Sequence, residues 1–254
     1  MQIDALFAKT LKGEYDDEAP WHAVHALRHI GSRDVLEAAS AWCHSDEPLK
    51  RARGADVLAQ LGRTSDHPEN NFPEESFASV APLAENEKHI LPLSSAIQAL
   101  GHIADPRAIP LLVRYSTHSK SEVRFAVACA CGAFANEAPI VPALLELIRD
   151  SDEDVRDWAT FALGSLSAMD SPEIRDAFAE RLDDASADVV EEALAGLARR
   201  RDPRALPILL ERLQQPDVDD VTLESAGAML GMSEGTRPMA AEDYISALQL
   251  RFMS

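Results

Sequence analysis

Apolar residues recur along this chain with helical spacing almost from end to end. From Asp152, for example, Val155, Ala159, Ala162 and Leu163 stand at i, i+4, i+7 and i+8. That spacing draws a stripe down one face of a helix and leaves polar residues on the others. Runs of β-branched residues alternating with polar ones, the mark of half-buried strands, do not occur. The same grammar returns after each break: an acid, Val-Arg or its equivalent, small residues around the stripe, a short gap, then a second amphipathic helix. "SEVRFAVACACGAF" from Ser121, "DEDVRDWATFALGSL" from Asp152 and "ADVVEEALAGLARR" from Ala187 all follow it.

A Leu-Gly pair, or its equivalent, near the end of each first helix fixes the register. Its first position is Leu27, Leu58, Leu100, Cys131, Leu163, Leu197 and Leu230, at steps of 31, 42, 31, 32, 34 and 33 residues. Seven repeats of about 32 residues result, with one insertion in the second. The insertion, "RTSDHPENNFPEE", is rich in Pro, Asn and acids and reads as a surface loop over 64–76. Small residues on the first helices (Ala96, Ala99, Ala159, Ala162, Ala193) allow neighbours to approach closely. The second helices open with near copies, "DPRAIPLL" from Asp105 and "DPRALPIL" from Asp202. Asp is a good N-cap, and Pro is tolerated in a first turn, where its missing N–H has no partner to lose. Pro110, Pro142 and Pro207 are expected in or just before first turns, because they would break a helix interior. The chain is predicted to be all-α. One such helix pair cannot bury its own apolar face, so stability must come from stacking.

The pattern D-x-x-V-R-x-x-A-x-x-A-L-G followed by D-P-x-A-[IL]-P-x-L-L resembles the HEAT repeat, in the short bacterial form of phycobilisome-lyase-like HEAT proteins. The resemblance covers residues 19–235. It departs at Ala19-Pro20 and Pro92-Leu93, where Val-Arg would stand. It implies a right-handed α-α superhelix, a HEAT-like solenoid of about seven helix pairs with terminal capping helices. A single domain over 1–254 is expected: a cap over 1–18 with a helix near 3–11, repeats over 19–235, and a cap helix over 236–254. Most proteins of this kind are binding scaffolds.

Charge narrows the choice of partner. With 24 basic and 43 acidic residues the net charge is −19, the wrong sign for a nucleic-acid backbone or an anionic membrane surface. Arg199-Arg200-Arg201 is the one obvious basic run, and it reads as a solvated helix end. Three cysteines, Cys43, Cys129 and Cys131, form no framework spacing and read as buried reduced thiols. The first residues show no basic stretch leading into an apolar run, and no apolar stretch reaches 18 residues. The expectation is a cytoplasmic monomer without a cofactor.

Three candidate chemistries follow. His22, His25 and His29 share a helix face, as a metal site would need, with Cys43 or His44 as further ligands. In the repeat register, however, Ala23, Ala26, Leu27 and Ile30 are the core positions, and the histidines fall at the fourth, seventh and eleventh. Other repeats carry Ser95, Gln98 and His102, or Trp158, Phe161 and Ser165 there, so the histidines sit on a variable face. Deoxyhypusine hydroxylase has a similar architecture, but its His-Glu ligand pairs are matched here by Trp21-His22, Phe125-Ala126, Asp157-Trp158 and Glu191-Glu192. HEAT-like DNA glycosylases need a basic surface that this chain does not offer, and no motif assigns it the bilin handling of phycobilin lyases. No Gly-rich phosphate loop, G-x-S-x-G, H-E-x-x-H or C-x-x-C occurs, so no catalytic residue is assigned. The carboxylate pairs Asp183-Asp184 and Asp219-Asp220 read as helix caps in polar breaks, and Arg124 and Arg156 as exposed inter-repeat ion pairs.

The leading expectation is a non-enzymatic protein-binding scaffold or adaptor. By the resemblance, the second helices line the concave surface, packing through Ile109, Leu112 and Val113 or Leu206, Leu209 and Leu210. Their outward stripe is then Arg107, Arg114, Glu146, Glu173, Asp176, Glu180, Arg204 and Glu211. Acid dominates its later part and suits a basic partner. The alternatives are an acidic inhibitor or immunity-type protein that blocks a basic enzyme, and a HEAT-like lyase or metal-binding protein using the histidine face.

Overall fold

A computed structural model describes residues 2–233 and 239–253, and every regular element among the described residues is helical. Contacts divide the chain into two compact units, 1–134 and 135–254. The division falls inside the fourth repeat, between its two helices, where the sequence pattern has no break.

The N-terminal unit begins with α1 (Gln2–Thr10) and continues through the pairs α2 (Glu18–Ile30)/α3 (Arg33–Cys43), α4 (Pro48–Ala59)/α5 (Pro73–Asn86) and α6 (Ile90–Ile103)/α7 (Ile109–Tyr115) to α8 (Ser121–Cys131). Local signals set the boundaries. Gly31 ends α2 in the left-handed conformation (φ 56°), and the Ser32 hydroxyl accepts from the Val35 N–H to start α3. Asp105 caps a short 3-10 turn that leads into α7, with Pro110 in its first turn, as expected. The register leucines Leu27, Leu58 and Leu100 are wholly buried, each contributing about 1.5–3 kcal/mol. Small side chains draw the first helices together, and a Cβ on Gly101 would lie 2.6 Å from the Ala130 Cα of α8. In this unit α4, α6 and α8 therefore pack along one another, while the second helices α3 and α5 are more loosely spaced.

Three details differ from the expected register. Ile30 is 39 % exposed and Ala26 half-buried, whereas Pro20 and Val24 are buried; α2 packs against α1 rather than a preceding repeat, which turns its buried face. On the short helix α7, Val113 is likewise 39 % exposed. The loop over 64–76 is shorter than expected, since Pro73 opens α5 and residues 73–76 are helical. The loop is also pinned. Asn71 Nδ2 donates to Gly31 O (2.8 Å), its backbone N–H to Leu61 O (2.8 Å), and Asn70 Nδ2 to Leu58 O (2.7 Å).

The C-terminal unit runs through α9 (Val141–Leu147) and the pairs α10 (Glu153–Phe161)/α11 (Pro172–Arg181), α12 (Ala187–Arg199)/α13 (Leu206–Leu213) and α14 (Asp220–Leu230)/α15 (Ala241–Phe252). Asp152, Ser171 and Asp219 accept from the N–H groups of Asp154, Ile174 and Thr222, and Pro142 and Pro207 lie in first turns. Again the first helices α10, α12 and α14 pack along one another. Helix α15 packs against both α13 and α14, so it completes a seventh pair as well as ending the array. Residues 236–238 and 254 of the expected cap, and its boundary at 235, lie outside the described residues. No helix among the described residues is long and apolar enough to cross a membrane.

Two arginine readings are corrected here. Arg200 is no solvated helix end: its side chain is 6 % exposed, and Nη2 donates to Leu163 O (2.8 Å) and Met169 O (2.7 Å), closing the end of the preceding first helix. Nor is the Arg156 ion pair exposed. Nε and Nη2 grip Asp184 bidentately at 2.9 Å, Nη1 bonds Asp150 O, and the two side chains are only 12 % and 4 % exposed. Arg51 and Glu87 repeat this clamp in the N-terminal unit, at 2.6 and 3.0 Å.

Burial alone would raise the Asp184 carboxyl, but Arg156, the Ser186 N–H and Arg181 outweigh it and hold it below the ordinary range. A depressed carboxylate contributes stability above its unfolded pKa and loses it as pH falls through the folded one. The stability gap between wild type and D184N, read from urea unfolding, is therefore expected to be widest near neutrality and to close as pH falls from about 4. A gap that stays constant from pH 6 to 2 would contradict this account.

Candidate functional site

On the first-helix face of the C-terminal unit, α12 and α14 border an open groove of about 820 Å³, with Ser165 in the helical turn that follows α10 also lining it. The spacing of 3.6 residues per turn places fourth and seventh positions on one face of each first helix. Those positions are Trp158 and Phe161 on α10, Glu192 and Ala195 on α12, and Ser225 and Ala228 on α14. The small residues on α12 and α14 leave the hollow. Glu191, Glu192 and Glu224 line it with Val221, Arg199, Arg201 and Tyr244. Trp158 stands 41 % exposed with its ring edge-on to Phe161 at 5.8 Å, and Val221 is 42 % exposed.

Charge is concentrated in the same unit. Residues 135–254 hold 25 acidic and 11 basic side chains, so they carry −14 of the chain's −19, and every one of their cations is an arginine. At the groove the carboxylates crowd one another. Burial, then the charges of Asp157 and Glu191, push the Glu192 carboxyl up against the opposing pull of Ser165 and Arg199. Burial, Asp188 and Asp154 likewise raise Asp157. The Ser165 hydroxyl accepts from Arg199 Nη1 (3.0 Å) and donates to Glu192 Oε2 (3.1 Å).

The stripe expected from sequence is arranged differently. Arg107 Nη2 bonds Glu74 on α5 (2.8 Å) as well as Asp105, and its guanidinium lies 4.3 Å from the Phe77 ring centroid. Asp176 pairs with Arg204 (2.6 Å) and Glu180 with Arg149 (2.7 Å), each pair linking neighbouring second-helix layers. Arg149 holds Glu180 below the ordinary carboxylate range. Glu173 is turned to the Ser171 hydroxyl, and Arg114 lies over the Tyr115 ring. Glu146 and Glu211 are exposed. Four of the eight stripe residues, Arg107, Asp176, Glu180 and Arg204, are engaged in cross-repeat pairs worth about 0–1 kcal/mol each.

The histidine trio does not assemble into a metal site. His22 Nε2 pairs with Glu18 (3.3 Å), and His25 packs beside Trp21. Cys43 is buried against Gly54, and His44 Nδ1 bonds Ser40 O. Among the described residues no three His, Cys, Asp or Glu side chains come together as a metal-holding group. Burial pushes all three cysteine thiols up to about 12, so each stays a protonated thiol near neutrality.

A second polar cluster, at the same register positions of α4 and α6, went unnoticed in the sequence. Arg53, wholly buried, donates to Thr10 O (3.0 Å), Tyr15 O (2.6 Å) and Asp56 Oδ2 (3.2 Å), with the Tyr15 and Trp21 rings against its guanidinium. Tyr15 Oη donates to Asp56 (3.0 Å) and lies 2.9 Å from Ser95 Oγ. Burial keeps this phenol protonated. The cluster is internally satisfied and closed to solvent by the segment after α1, so it fastens the N-terminal cap.

Comparison with known proteins agrees with this architecture. The family described as HEAT repeats matches residues 79–164 and again 141–230. The protein YibA of Escherichia coli K12 is 30 % identical over 213 residues, spanning 82 % of this chain and 74 % of that one. The chain belongs to the HEAT-repeat family. The X-ray structure of E. coli YibA superimposes with a TM-score of 0.74 at 25 % identity, covering 97 % of this chain and 92 % of that one. The complex of CpcE and CpcF of phycocyanin lyase from Nostoc sp. PCC7120 shares the fold, with a TM-score of 0.51 at 15 % identity and coverage of 98 % and 95 %. In this HEAT-repeat chain the neighbourhood of the groove did leave one trace in the sequence: Trp158 and Phe161, on the first helix next to it, are two aromatics at positions that carry no packed core residue in the register.

Proposed function

We propose that this HEAT-repeat protein is a non-catalytic scaffold that captures a protein partner on the first-helix face of its C-terminal unit. The observation that carries the reading is a contrast of charge. Asp176 and Glu180 on a second helix pair with arginines of the same unit, whereas Glu192, beside the charges of Asp157 and Glu191, and Glu224 line a groove next to exposed Val221. Exposed aromatic and apolar side chains beside a hollow mark interaction sites more often than solvated faces do.

A photo-crosslinking amino acid placed in turn at Ala195, in the groove, and at Glu211, on the second-helix stripe, tests the site in the organism of origin. One discrete protein adduct from position 195 and none from 211 is expected. Adducts from 211 alone would return the site to the second helices, and none from either position would sink the reading. If the captured protein is an enzyme that loses its activity in the complex, the scaffold acts as its inhibitor.

A further inference from the structure

Resting on that reading, we propose that the occupant of the groove is an extended, arginine- or lysine-bearing segment of the partner, lying across α10, α12 and α14. Its cations would meet Asp157, Glu192 and Glu224, and its apolar side chains would rest on Trp158, Phe161 and Val221.

Three observations select this occupant. The first is complementarity: carboxylates from three successive first helices converge on one face in a unit of net charge −14. Like charges held this closely repel one another, and an arriving cation relieves the repulsion. The second is the aromatic pair. A guanidinium or ammonium over an exposed indole gains cation–π attraction, and the aliphatic stem of arginine or lysine packs on the same ring. The third is dimension. Two interhelix steps of about 10 Å each are crossed by about six residues of extended chain at about 3.3 Å per residue. A folded helix, about 10–12 Å across with its side chains, would not follow a row of carboxylates perpendicular to the groove-forming helices so closely.

The arginines at the groove do not cancel this preference. Arg199 is held to the Ser165 hydroxyl, and Arg201 lies against Gly231 at the opposite end of the first helices from Glu191 and Glu224. Arg212 of α13 pairs with Glu191 at 3.8 Å, so the carboxylates left to receive the partner's cations are Asp157, Glu192 and Glu224.

The test uses the full chain and fluorescein-labelled peptides of about ten residues in which arginine alternates with leucine, with citrulline or glutamate replacing arginine in the controls. Fluorescence anisotropy is expected to show binding of the arginine peptide, weakened as salt rises, and none of the controls. E192Q/E224Q should weaken it at least tenfold and E192K/E224K should abolish it, with unchanged helical circular dichroism. W158A should weaken binding equally at low and high salt. Equal affinity of wild type and E192K/E224K, or binding of the citrulline peptide as tight as that of arginine, would overturn the proposal. A crosslinked partner at position 195 combined with no arginine-peptide binding would refute this occupant while leaving the scaffold reading intact.

Discussion

Replacing Arg53 by alanine is expected to cost the N-terminal unit about 3–5 kcal/mol, the usual penalty for removing one partner of a buried ion pair. Arg53 is wholly buried and satisfies Asp56 and the carbonyls of Thr10 and Tyr15 at once. Without it a carboxylate and two carbonyls are stranded, and the segment that holds α1 in place loses its anchor. R53K should recover part of the loss only, because an ammonium cannot reach three acceptors in the directions a planar guanidinium serves. Urea unfolding followed by the fluorescence of Trp21, whose ring stacks on Arg53, reads this unit directly. An R53A midpoint within about 1 kcal/mol of wild type would show that the cluster does not fasten the cap.

In the C-terminal unit the largest loss is expected from F178A, about 3–5 kcal/mol for a fully buried phenylalanine. Phe178 lies against Gly196 on α12, where an added Cβ would stand only 2.8 Å from the ring. G196A alone is therefore expected to destabilise by about 1–3 kcal/mol through overpacking. In the F178A background the same methyl enters the vacated space. The double variant should be more stable than the sum of the single effects by at least about 1 kcal/mol. Strict additivity would mean that α11 and α12 do not meet through this ring.

Much of the architecture was legible beforehand, for a simple reason. Helical periodicity, proline at first turns and aspartate caps act within a few residues, so Val155 with Ala159, or Asp202 with Arg204, announce themselves locally. The repetition of that grammar at a nearly constant step then requires stacking. The candidate site was less legible. His22, Ser95 and Trp158 occupy equivalent register positions and read alike as a tolerant face, yet Ser95 is buried beside Tyr15 while Trp158 is exposed. What covers each position is a chain segment far away in sequence, as Tyr15 is from Ser95.

The sequence by itself determined the helices, their pairing into repeats and the sign of the charge, because each depends on neighbours within one turn or on composition. Only the tertiary structure decided which acids are neutralised. Asp176 and Glu180 meet arginines 28 and 31 residues away across a repeat, while Glu192 is brought beside Asp157 and Glu191 along a groove that Glu224 also lines. Coulomb interaction falls with distance in space, and residues one repeat apart in the chain become neighbours only when the first helices, drawn in by alanine and glycine, stack.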